Sequence, residues 1–299
     1  MGAAARPRSG LESRAMIDLH CHSVFSDGTE TPEALVALAE QGGLSALALT
    51  DHDTTAGLDR FLAAGENSTV ETVAGIELSA EFGSTPLHIL GYFPDGGRGA
   101  GFQCLEFQQA LAWVREGRQE RNVQMLEKLN ALGYALSMDD VRRQAGEGVV
   151  GRPHLAAALM ETGQFKHPNT IYRQLLGKGK AAYVNRRRLS PERCAELIDG
   201  AGGVAAIAHP GQMKLTVSKL RRLVRQLLPH GLGGIEVLHP SHKPHQIYAY
   251  EQICAAFDLV PTGGTDFHGA NTPDLHLGTG FGSMDIPDSF LDQLKARRQ

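Results

Sequence analysis

Short apolar segments alternate with helix-forming segments in the first and last thirds of the chain, and this alternation restricts the possible folds more than any other feature. Near the start, the strand-like segments MIDLH and LSALALT flank a segment that opens at Thr31-Pro32-Glu33 and closes at Gly42-Gly43. Threonine is a favoured helix N-cap, proline is tolerated in the first turn, and glycine commonly ends a helix. Ser190-Pro191-Glu192 and Gly202-Gly203 repeat this pattern. Repeated strand–helix units of this length predict a parallel sheet or a barrel.

The middle of the chain has a different pattern. Residues 102–133 have the periodicity of one long amphipathic helix, shorter helical stretches follow to about residue 177, and no strand is evident. We therefore predict a mainly helical, substrate-binding insertion domain at residues 101–189, between the two parts of a barrel domain at residues 16–100 and 190–299. Residues 1–15 carry no apolar segment typical of a secretory signal and are expected to form a disordered leader.

Composition argues against membrane and disulfide-rich proteins. No apolar run approaches the ~20 residues that a membrane-spanning helix needs. The four cysteines, Cys21, Cys104, Cys194 and Cys254, are widely scattered and form no CxxC pair. A reducing, cytoplasmic location is therefore expected.

The net charge of −4 conceals an uneven distribution of charge. Residues 102–193 contain 15 Lys+Arg and 9 Asp+Glu, a balance of +6, whereas the rest of the chain has a balance of −10. A basic segment in an acidic protein favours an anionic partner, although an ordinary charged helical surface would give the same balance.

Two histidines stand two residues apart at the end of the first predicted strand, in DLHCHSVFSDG. Residues i and i+2 of a strand point to the same side, so His20 and His22 can converge on one metal ion. A single pair of this kind is more simply explained as two polar residues at a strand end.

The pattern recurs, and the recurrence favours a metal site. Residues of metal-ligating type lie at or near the ends of nearly all the predicted strands: His20, His22, Asp27, His52, Glu77, His88, His209, Asp266 and His268. In β/α barrels, the active site is built at the carboxyl ends of the strands, so these side chains are expected to meet at one rim.

The ligand types indicate the metals and the reaction. Imidazoles and carboxylates without a thiolate suit Mn²⁺, Fe²⁺ or Zn²⁺ better than Ca²⁺ or a cysteine-rich structural zinc site. Divalent ions held by only three carboxylates would leave positive charge for a hydroxide and an anionic substrate, which fits the hydrolysis of phosphate esters.

Four ordered motifs, DLHCHSVFSDG, LTDHD, AHP and TDFH, resemble those of the PHP (polymerase and histidinol phosphatase) family. The resemblance covers about residues 16 to 285. It implies a distorted (β/α)7 barrel and two to three divalent metal ions, with Mn²⁺ the first expectation and Fe²⁺ or Zn²⁺ the alternatives. It also implies that the nine residues above are the ligands, holding a metal-bridging hydroxide as the nucleophile.

Two segments of the predicted insertion indicate a more specific class of substrate. Its RPH segment and the later YV…LSPE segment resemble the branch of the family that removes the 3′-phosphate of nucleoside 3′,5′-bisphosphates or degrades short RNA from a 5′ end. Substrate contacts are expected from Arg152, His154, Lys178, Lys180, Arg186, Arg187 and His242. Arg118 and Arg121 share one face of the long helix and could also reach the cleft. His239 and His245 are expected at the surface, and a surface position is the simpler alternative for His242.

The predicted function is thus that of a phosphate-ester hydrolase, a phosphatase or 5′–3′ exoribonuclease. Its partner is a phosphorylated nucleotide or short RNA, with no membrane and no obligate protein partner. Two alternatives stay open. One is a phosphatase of a small metabolite, such as histidinol phosphate, and the other is a non-catalytic PHP binding module. Phe102, Phe107 and Trp113 are suited to base stacking, but their helical spacing favours a place in the core.

Overall fold

The structure, a computed structural model, describes residues 16–83, 85–95, 101–146 and 148–298. The leader predicted for residues 1–15 lies outside these ranges. Seven strands form one sheet whose spatial order follows the chain: β1 (Met16–Cys21), β2 (Leu44–Leu49), β3 (Glu71–Phe82), β4 (Thr85–Phe93), β5 (Val204–Ile207), β6 (Leu232–Leu238) and β7 (Val260–Gly263).

The sheet curls into a half-barrel. The ends of its edge strands, β1 and β7, meet at the rim, where Cys21 and Phe267 form a bridge and the His22 amide donates to the Phe267 carbonyl at 2.9 Å. This architecture confirms the predicted distorted (β/α)7 barrel with a helical insertion.

The sheet is mixed, however, and the expectation of parallel strands is wrong at β4. β4 runs antiparallel to both β3 and β5, whereas the other neighbouring pairs are parallel. Only two residues separate Phe82 from Thr85 in the sequence. A parallel crossover needs about a dozen residues or more, so such a short link forces the chain to turn back.

Ten helices accompany the sheet within the described residues: α1 (Pro32–Gln41), α2 (Leu58–Gly65), α3 (Leu105–Ala131), α4 (Met138–Ala145), α5 (Arg152–Glu161), α6 (Pro168–Ile171), α7 (Pro191–Gly200), α8 (Val217–Leu227), α9 (Pro244–Phe257) and α10 (Ser289–Ala296). The predicted starts of α1 and α7 are confirmed, because Thr31 and Ser190 accept hydrogen bonds from the amides of Ala34 and Arg193. In the ranges that the structure covers, no helix is both long and apolar enough to cross a membrane.

The main apolar core lies between the sheet and the outer helices. Leu35 of α1 and Phe61 of α2 pack there with Leu47 and Ile76 of the strands. A second cluster joins Ile286, Leu291 and Leu294 of the C-terminal segment to β1, β2 and β5.

Helices α3 to α6 lie between β4 and β5 in the chain, where the insertion was predicted. They have an apolar cluster of their own, which includes Met125, Leu129, Leu155 and Leu176. α3 also reaches the main core, because Phe107 near its start is buried there. The limits of the insertion domain at residues 101 and 189 stay a prediction.

Candidate metal centre

The buried carboxylate of Glu77 lies at the middle of a cluster of imidazoles. Its Oε1 is 2.7 Å from His88 Nδ1 and 2.8 Å from His209 Nε2. Its Oε2 is 2.8 Å from His52 Nδ1, 3.3 Å from His22 Nε2 and 3.5 Å from His20 Nε2. The Glu77 carboxylate thus lies close to five imidazoles, which come from four other strands or strand ends. This is the geometry expected of a bridging ligand.

Asp27, Asp266 and His268 complete the cluster on its other side. Asp266 Oδ1 is 3.1 Å from His22 Nε2 and 3.4 Å from His20 Nε2. Asp27 Oδ1 is 3.2 Å from His268 Nε2. All nine residues singled out in the sequence are therefore brought to one rim of the half-barrel.

Three overlapping groups within the cluster have ligand atoms that lie within 4.8 Å of one another. The groups are His22, Asp27, His52 and His268; His20, His22, Glu77 and Asp266; and His52, Glu77 and His88. His22, His52 and Glu77 each belong to two groups, so the arrangement suits neighbouring ions that share ligands.

Several ligand atoms of the cluster are buried and form no hydrogen bond of normal geometry within the described residues, although some of them lie only 2.8 to 3.5 Å from one another. They are His20 Nε2, His22 Nε2, His52 Nδ1, Asp27 Oδ1 and Glu77 Oε2. Buried polar atoms are nearly always hydrogen-bonded, so a group of orphaned atoms that face each other needs an explanation. Divalent cations would satisfy them, and the residues therefore fit the two to three ions that were predicted.

The antiparallel turn at β4 explains how His88 joins the cluster. His88 lies near the start of its strand, opposite Ser79 of β3. Because β4 runs antiparallel, its first residues reach the same rim as the last residues of its neighbours.

The backbone at the rim is strained. Asp53, His209 and Asp266 have positive φ angles of 55°, 24° and 55°. Such conformations cost energy in residues other than glycine and are concentrated at functional sites.

The charges of the cluster shift the pKa values of its carboxyls. Burial alone would raise the pKa of Glu77, but the imidazoles, those of His52 and His88 first, hold it well below its usual range. The pKa of Asp266 is likewise held well below its usual range, since His20 and His268 outweigh the effect of burial. Both carboxylates are therefore ready to bind cations.

Glu236, on β6, supports the cluster and was not identified from the sequence. Its Oε1 accepts a hydrogen bond from His20 Nδ1 at 2.8 Å, and its Oε2 accepts one from the His209 amide at 2.6 Å. A carboxylate that holds the second nitrogen of a ligand imidazole fixes its tautomer and orientation. The signal was a lone carboxylate in the apolar strand segment GGIEVL.

The expectation that His239 and His242 lie at the surface is wrong, since both are buried; His245 is exposed, as expected. His239 Nε2 is 3.6 Å from Asp266 Oδ2, at the edge of the cluster. His242 uses both ring nitrogens internally, with Nδ1 donating to the Val237 carbonyl and Nε2 accepting from the Gly211 amide. In this arrangement it has no ring nitrogen left for a ligand.

Comparison with known proteins shows the family to which the chain belongs. A family model described as "PHP domain" matches residues 18–163. A 3′,5′-nucleoside bisphosphate phosphatase of Chromobacterium violaceum is 35% identical over 85% of this chain and 87% of its own length. A 5′-3′ exoribonuclease of Haemophilus influenzae is 33% identical over 84% of this chain and 89% of its own length.

The chain belongs to the PHP family.

A solved structure supports the same conclusion at the level of the fold. It is a candidate metal-dependent phosphoesterase from Bifidobacterium adolescentis, with a TM-score of 0.83 and 30% identity over 95% of this chain and 96% of the other. The resemblance inferred from the four motifs is thereby confirmed.

A cluster of arginines borders the candidate metal centre on the side of the insertion. Arg118 of α3 donates to Asp53 Oδ2 at 2.7 Å and to Ser79 Oγ at 3.0 Å. Arg186 lies 3.6 Å from the same carboxylate oxygen. We call the group formed by Arg118, Arg121, Arg152, Arg186 and Arg188 the arginine cluster.

The arginine cluster carries more positive charge than its carboxylates balance. Burial, followed by the neighbouring guanidiniums, lowers the pKa of Arg121. Burial and Arg118 also lower the pKa of Arg186, against the opposing effect of Asp53. Arg121 Nε and Arg186 Nη1 are buried without a hydrogen-bond partner among the described residues. Guanidinium nitrogens that lack a hydrogen bond in a buried site favour an anionic ligand.

The predicted substrate contacts fall into two groups. Arg152 and Arg186 belong to the arginine cluster, whereas Lys178, Lys180 and Arg187 are more exposed. Lys178 Nζ is 3.8 Å from Glu81, and Arg187 contacts Glu120 at 2.7 Å and lies over the Trp113 ring.

The remaining predicted contact, His154, is buried at the start of α5. Its Nδ1 accepts a hydrogen bond from the Gly151 amide at 2.9 Å. This nitrogen therefore caps its own helix.

A cleft of about 500 Å³ opens beside the metal centre. Asp27, Asp266 and His268 form part of its wall, and Tyr172 of the insertion and Phe281 of the C-terminal segment lie on others. Ligand sites commonly combine apolar side chains with a few polar groups, and this cleft has both. A second cavity of about 510 Å³, on the side of Arg118 and Thr55, includes none of the nine ligand-type residues in its lining.

Proposed function

We propose that the protein is a metal-dependent phosphoesterase that removes the 3′-phosphate of nucleoside 3′,5′-bisphosphates and degrades short RNA from a 5′-phosphorylated end. The observation that carries this proposal is the position of the arginine cluster beside nine converging ligand-type side chains. The two sites supply separate partners for two phosphates of one substrate.

The nine residues His20, His22, Asp27, His52, Glu77, His88, His209, Asp266 and His268 are the proposed ligands of two to three divalent ions. Mn²⁺ is the first expectation, with Fe²⁺ and Zn²⁺ as alternatives. When bound, such ions lower the pKa of a nucleophilic water and stabilise negative charge on phosphoryl oxygens. The protein's own part is to hold the ligands in place, and Glu236 does so for His20 and His209.

The second phosphate needs cations away from the metal centre. In the proposal, it is bound by Arg152, Arg186 and their neighbours Arg118 and Arg121. Arg118 links the two sites, because Asp53, which it binds, directly follows the proposed ligand His52. Bidentate guanidinium groups are well suited to a terminal phosphate.

The same geometry accounts for both proposed activities. A 3′-phosphate monoester and the first 3′–5′ linkage of an RNA occupy the same position relative to the 5′-phosphate. An enzyme that anchors the 5′-phosphate would therefore act on either substrate. The names of the two relatives, a bisphosphate phosphatase and a 5′-3′ exoribonuclease, support this view. The proposed location is the cytoplasm, with which four free cysteines are consistent.

A comparison of substrates tests the proposal. The Mn²⁺-loaded protein is incubated with adenosine 3′,5′-bisphosphate, with a short RNA with or without a 5′-phosphate, and with histidinol phosphate. We expect turnover of the bisphosphate and of the 5′-phosphorylated RNA, and slower turnover of the RNA with a 5′-hydroxyl. Preference for histidinol phosphate would support a small-metabolite phosphatase, and loaded protein without any turnover would support a binding module.

A further inference from the structure

Phe281 is exposed at the mouth of the cleft beside the metal centre. About 65% of its surface is accessible to solvent, although it lies on the wall of the cavity that also contains Asp27, Asp266 and His268. A single exposed aromatic ring does not by itself indicate a binding site. Phe281 is notable because it is carried by a well-packed turn at the mouth of the cleft.

The turn that carries Phe281 is held by several backbone hydrogen bonds. His276 and Gly280 exchange two of them, at 2.8 and 2.9 Å, and the Thr279 carbonyl accepts one from the Gly282 amide at 2.8 Å. Gly280 and Gly282, on either side of the ring, have φ angles of 58° and 94°. A side chain at Gly280 would also lie 2.7 Å from Met284 Sδ, so the turn is packed as well as hydrogen-bonded.

The base of this turn is tied to the strand end that provides Asp266. The Gly278 amide donates to Asp18 Oδ2 at 2.8 Å. The Thr265 hydroxyl donates to the same oxygen at 2.5 Å, and the Thr265 amide donates to Oδ1 at 3.0 Å. One buried carboxylate thus fixes Phe281 relative to Asp266, the residue that follows Thr265.

Apolar groups line much of the rest of the cleft. Pro153, Pro168 and Tyr172 come from the insertion, and Leu275 and Pro240 lie on the barrel side. Tyr172 begins a π-helical turn, a feature that is frequent at functional sites. No lysine or arginine is among the described residues that line this cleft. The lining therefore suits a planar, uncharged group that is attached to a phosphate at the metal centre.

We propose that Phe281 binds the nucleobase of the substrate by stacking and is a specificity residue for base-containing phosphate esters. This inference rests on the proposed function, since it takes a nucleotide as the ligand. Every nucleobase has a π-face, so stacking would bind all four bases with similar strength. The phosphates then fix the position of the sugar, and Phe281 distinguishes a nucleotide from a sugar bisphosphate without a base.

Kinetics on a matched pair of substrates test the inference. The pair is adenosine 3′,5′-bisphosphate and its abasic analogue, 1,2-dideoxyribose 3,5-bisphosphate. Phe281→Ala is expected to lower kcat/KM for the adenosine compound roughly 5- to 150-fold, and to leave the abasic compound unchanged. Phe281→Tyr, which keeps an aromatic ring, should stay near the wild type. Tyr248→Ala, at an equally exposed aromatic residue of α9, is the control and should change neither rate.

A binding measurement separates this inference from the proposed function. Trp113 is the only tryptophan in the chain, so Phe281→Trp in a Trp113→Phe background gives a single fluorescent reporter in the cleft. Adenosine 5′-phosphate, the expected product, should quench it in the metal-loaded protein, whereas the abasic 5′-phosphate should not.

The outcomes distinguish the two ideas. Equal losses on both bisphosphates in Phe281→Ala, or no loss on either, would overturn the role of Phe281 while the proposed function stands. Quenching by the abasic phosphate as strong as that by adenosine 5′-phosphate would also overturn it. A wild type without activity on any nucleoside bisphosphate would refute the proposed function, and the quenching experiment would still decide whether a base stacks on residue 281.

Discussion

At the scale of single residues, the metal centre depends on carboxylates that have different tasks. Glu77 lies among five imidazoles, whereas Glu236 contacts His20 through the nitrogen that faces away from the cluster. The first is a proposed ligand and the second a positioning residue. Both are fully buried on strands.

Glu236→Gln provides a prediction for the positioning role. An amide has the shape of the carboxylate but lacks its charge, so the His20 imidazole should lose both its fixed orientation and some basicity. Mn²⁺ affinity is expected to fall about 10- to 100-fold, with the fold intact. Isothermal titration with Mn²⁺ measures this change. Glu251→Gln, an exposed carboxylate of α9, is the matched control, and an equal effect of both variants would contradict the assignment.

A comparison of two adjacent arginines tests whether the second phosphate is bound by the arginine cluster or attracted by surface charge in general. Arg186 is in the arginine cluster, with a side chain that is only 6% exposed, whereas Arg187 contacts Glu120. Arg186→Ala should lower kcat/KM for a nucleoside bisphosphate by about 1.5–3 kcal/mol in transition-state stabilisation, the value of a hydrogen bond to a charged group. Arg187→Ala should have little effect.

Both variants should retain the activity of the wild type on p-nitrophenyl phosphate, which has no second phosphate. Steady-state kinetics on the two substrates check this expectation. If Arg186→Ala loses as much activity on p-nitrophenyl phosphate as on the bisphosphate, Arg186 serves the metal centre or the fold.

At the scale of secondary structure elements, the helix α3 connects the barrel to the insertion. Phe107 near its start is buried in the main core, and its later turns carry Arg118 and Arg121. The position of these arginines therefore depends on how firmly the first turns of α3 are packed.

Phe107→Ala tests this anchoring. Loss of a fully buried ring is expected to reduce the free energy of unfolding by about 3–5 kcal/mol. Leu105→Ala changes a residue of the same helix that is 73% exposed and should cost within about 0.5 kcal/mol. Urea denaturation of both variants measures the difference, and similar midpoints for the two would show that α3 does not depend on the main core.

The element that sequence reasoning misjudged is β4. The apolar segment TPLHILGYF indicates a strand, and the strand is present, but periodicity contains no information on its direction. The clue was the two-residue link after Phe82, too short for a crossover. The ends of the strands, by contrast, were informative, because ligand-type residues recur there and the carboxyl ends of barrel strands meet at one rim.

At the scale of the whole molecule, the curled sheet and the recurrence of ligand types were accessible from the sequence. The arginine cluster could be predicted from the sequence only in part. Arg186 and Arg187 are neighbours in an exposed-looking RRR segment, and only tertiary packing decides which of them is buried beside Asp53. Glu236 and Phe281 were missed for the same reason: the local pattern around each does not reveal what the fold places next to it.

Metal removal should affect the stability of the whole fold. The ligand atoms without hydrogen bonds at the rim belong to residues in or just after β1, to His52 after β2 and to Glu77 of β3, so bound ions would link distant parts of the chain. Saturating Mn²⁺ at about 100 times its Kd should stabilise the folded state by about 2.7 kcal/mol over the chelated protein. Thermal unfolding with and without chelator measures the effect, which should be much smaller in Glu77→Ala. An unchanged Tm in the wild type would argue against metal ions at this rim.

The most direct test of the account is the position of the phosphate that is removed. ³¹P NMR of adenosine 3′,5′-bisphosphate with the Mn²⁺-loaded protein, recorded after removal of the paramagnetic metal, distinguishes the two phosphates and free phosphate. We expect the 3′ resonance to be replaced by that of inorganic phosphate while the 5′ resonance stays, because the arginine cluster is proposed to hold the 5′-phosphate away from the metal centre. Release of the 5′-phosphate, or no release by protein that carries at least two metal ions per chain, would contradict it.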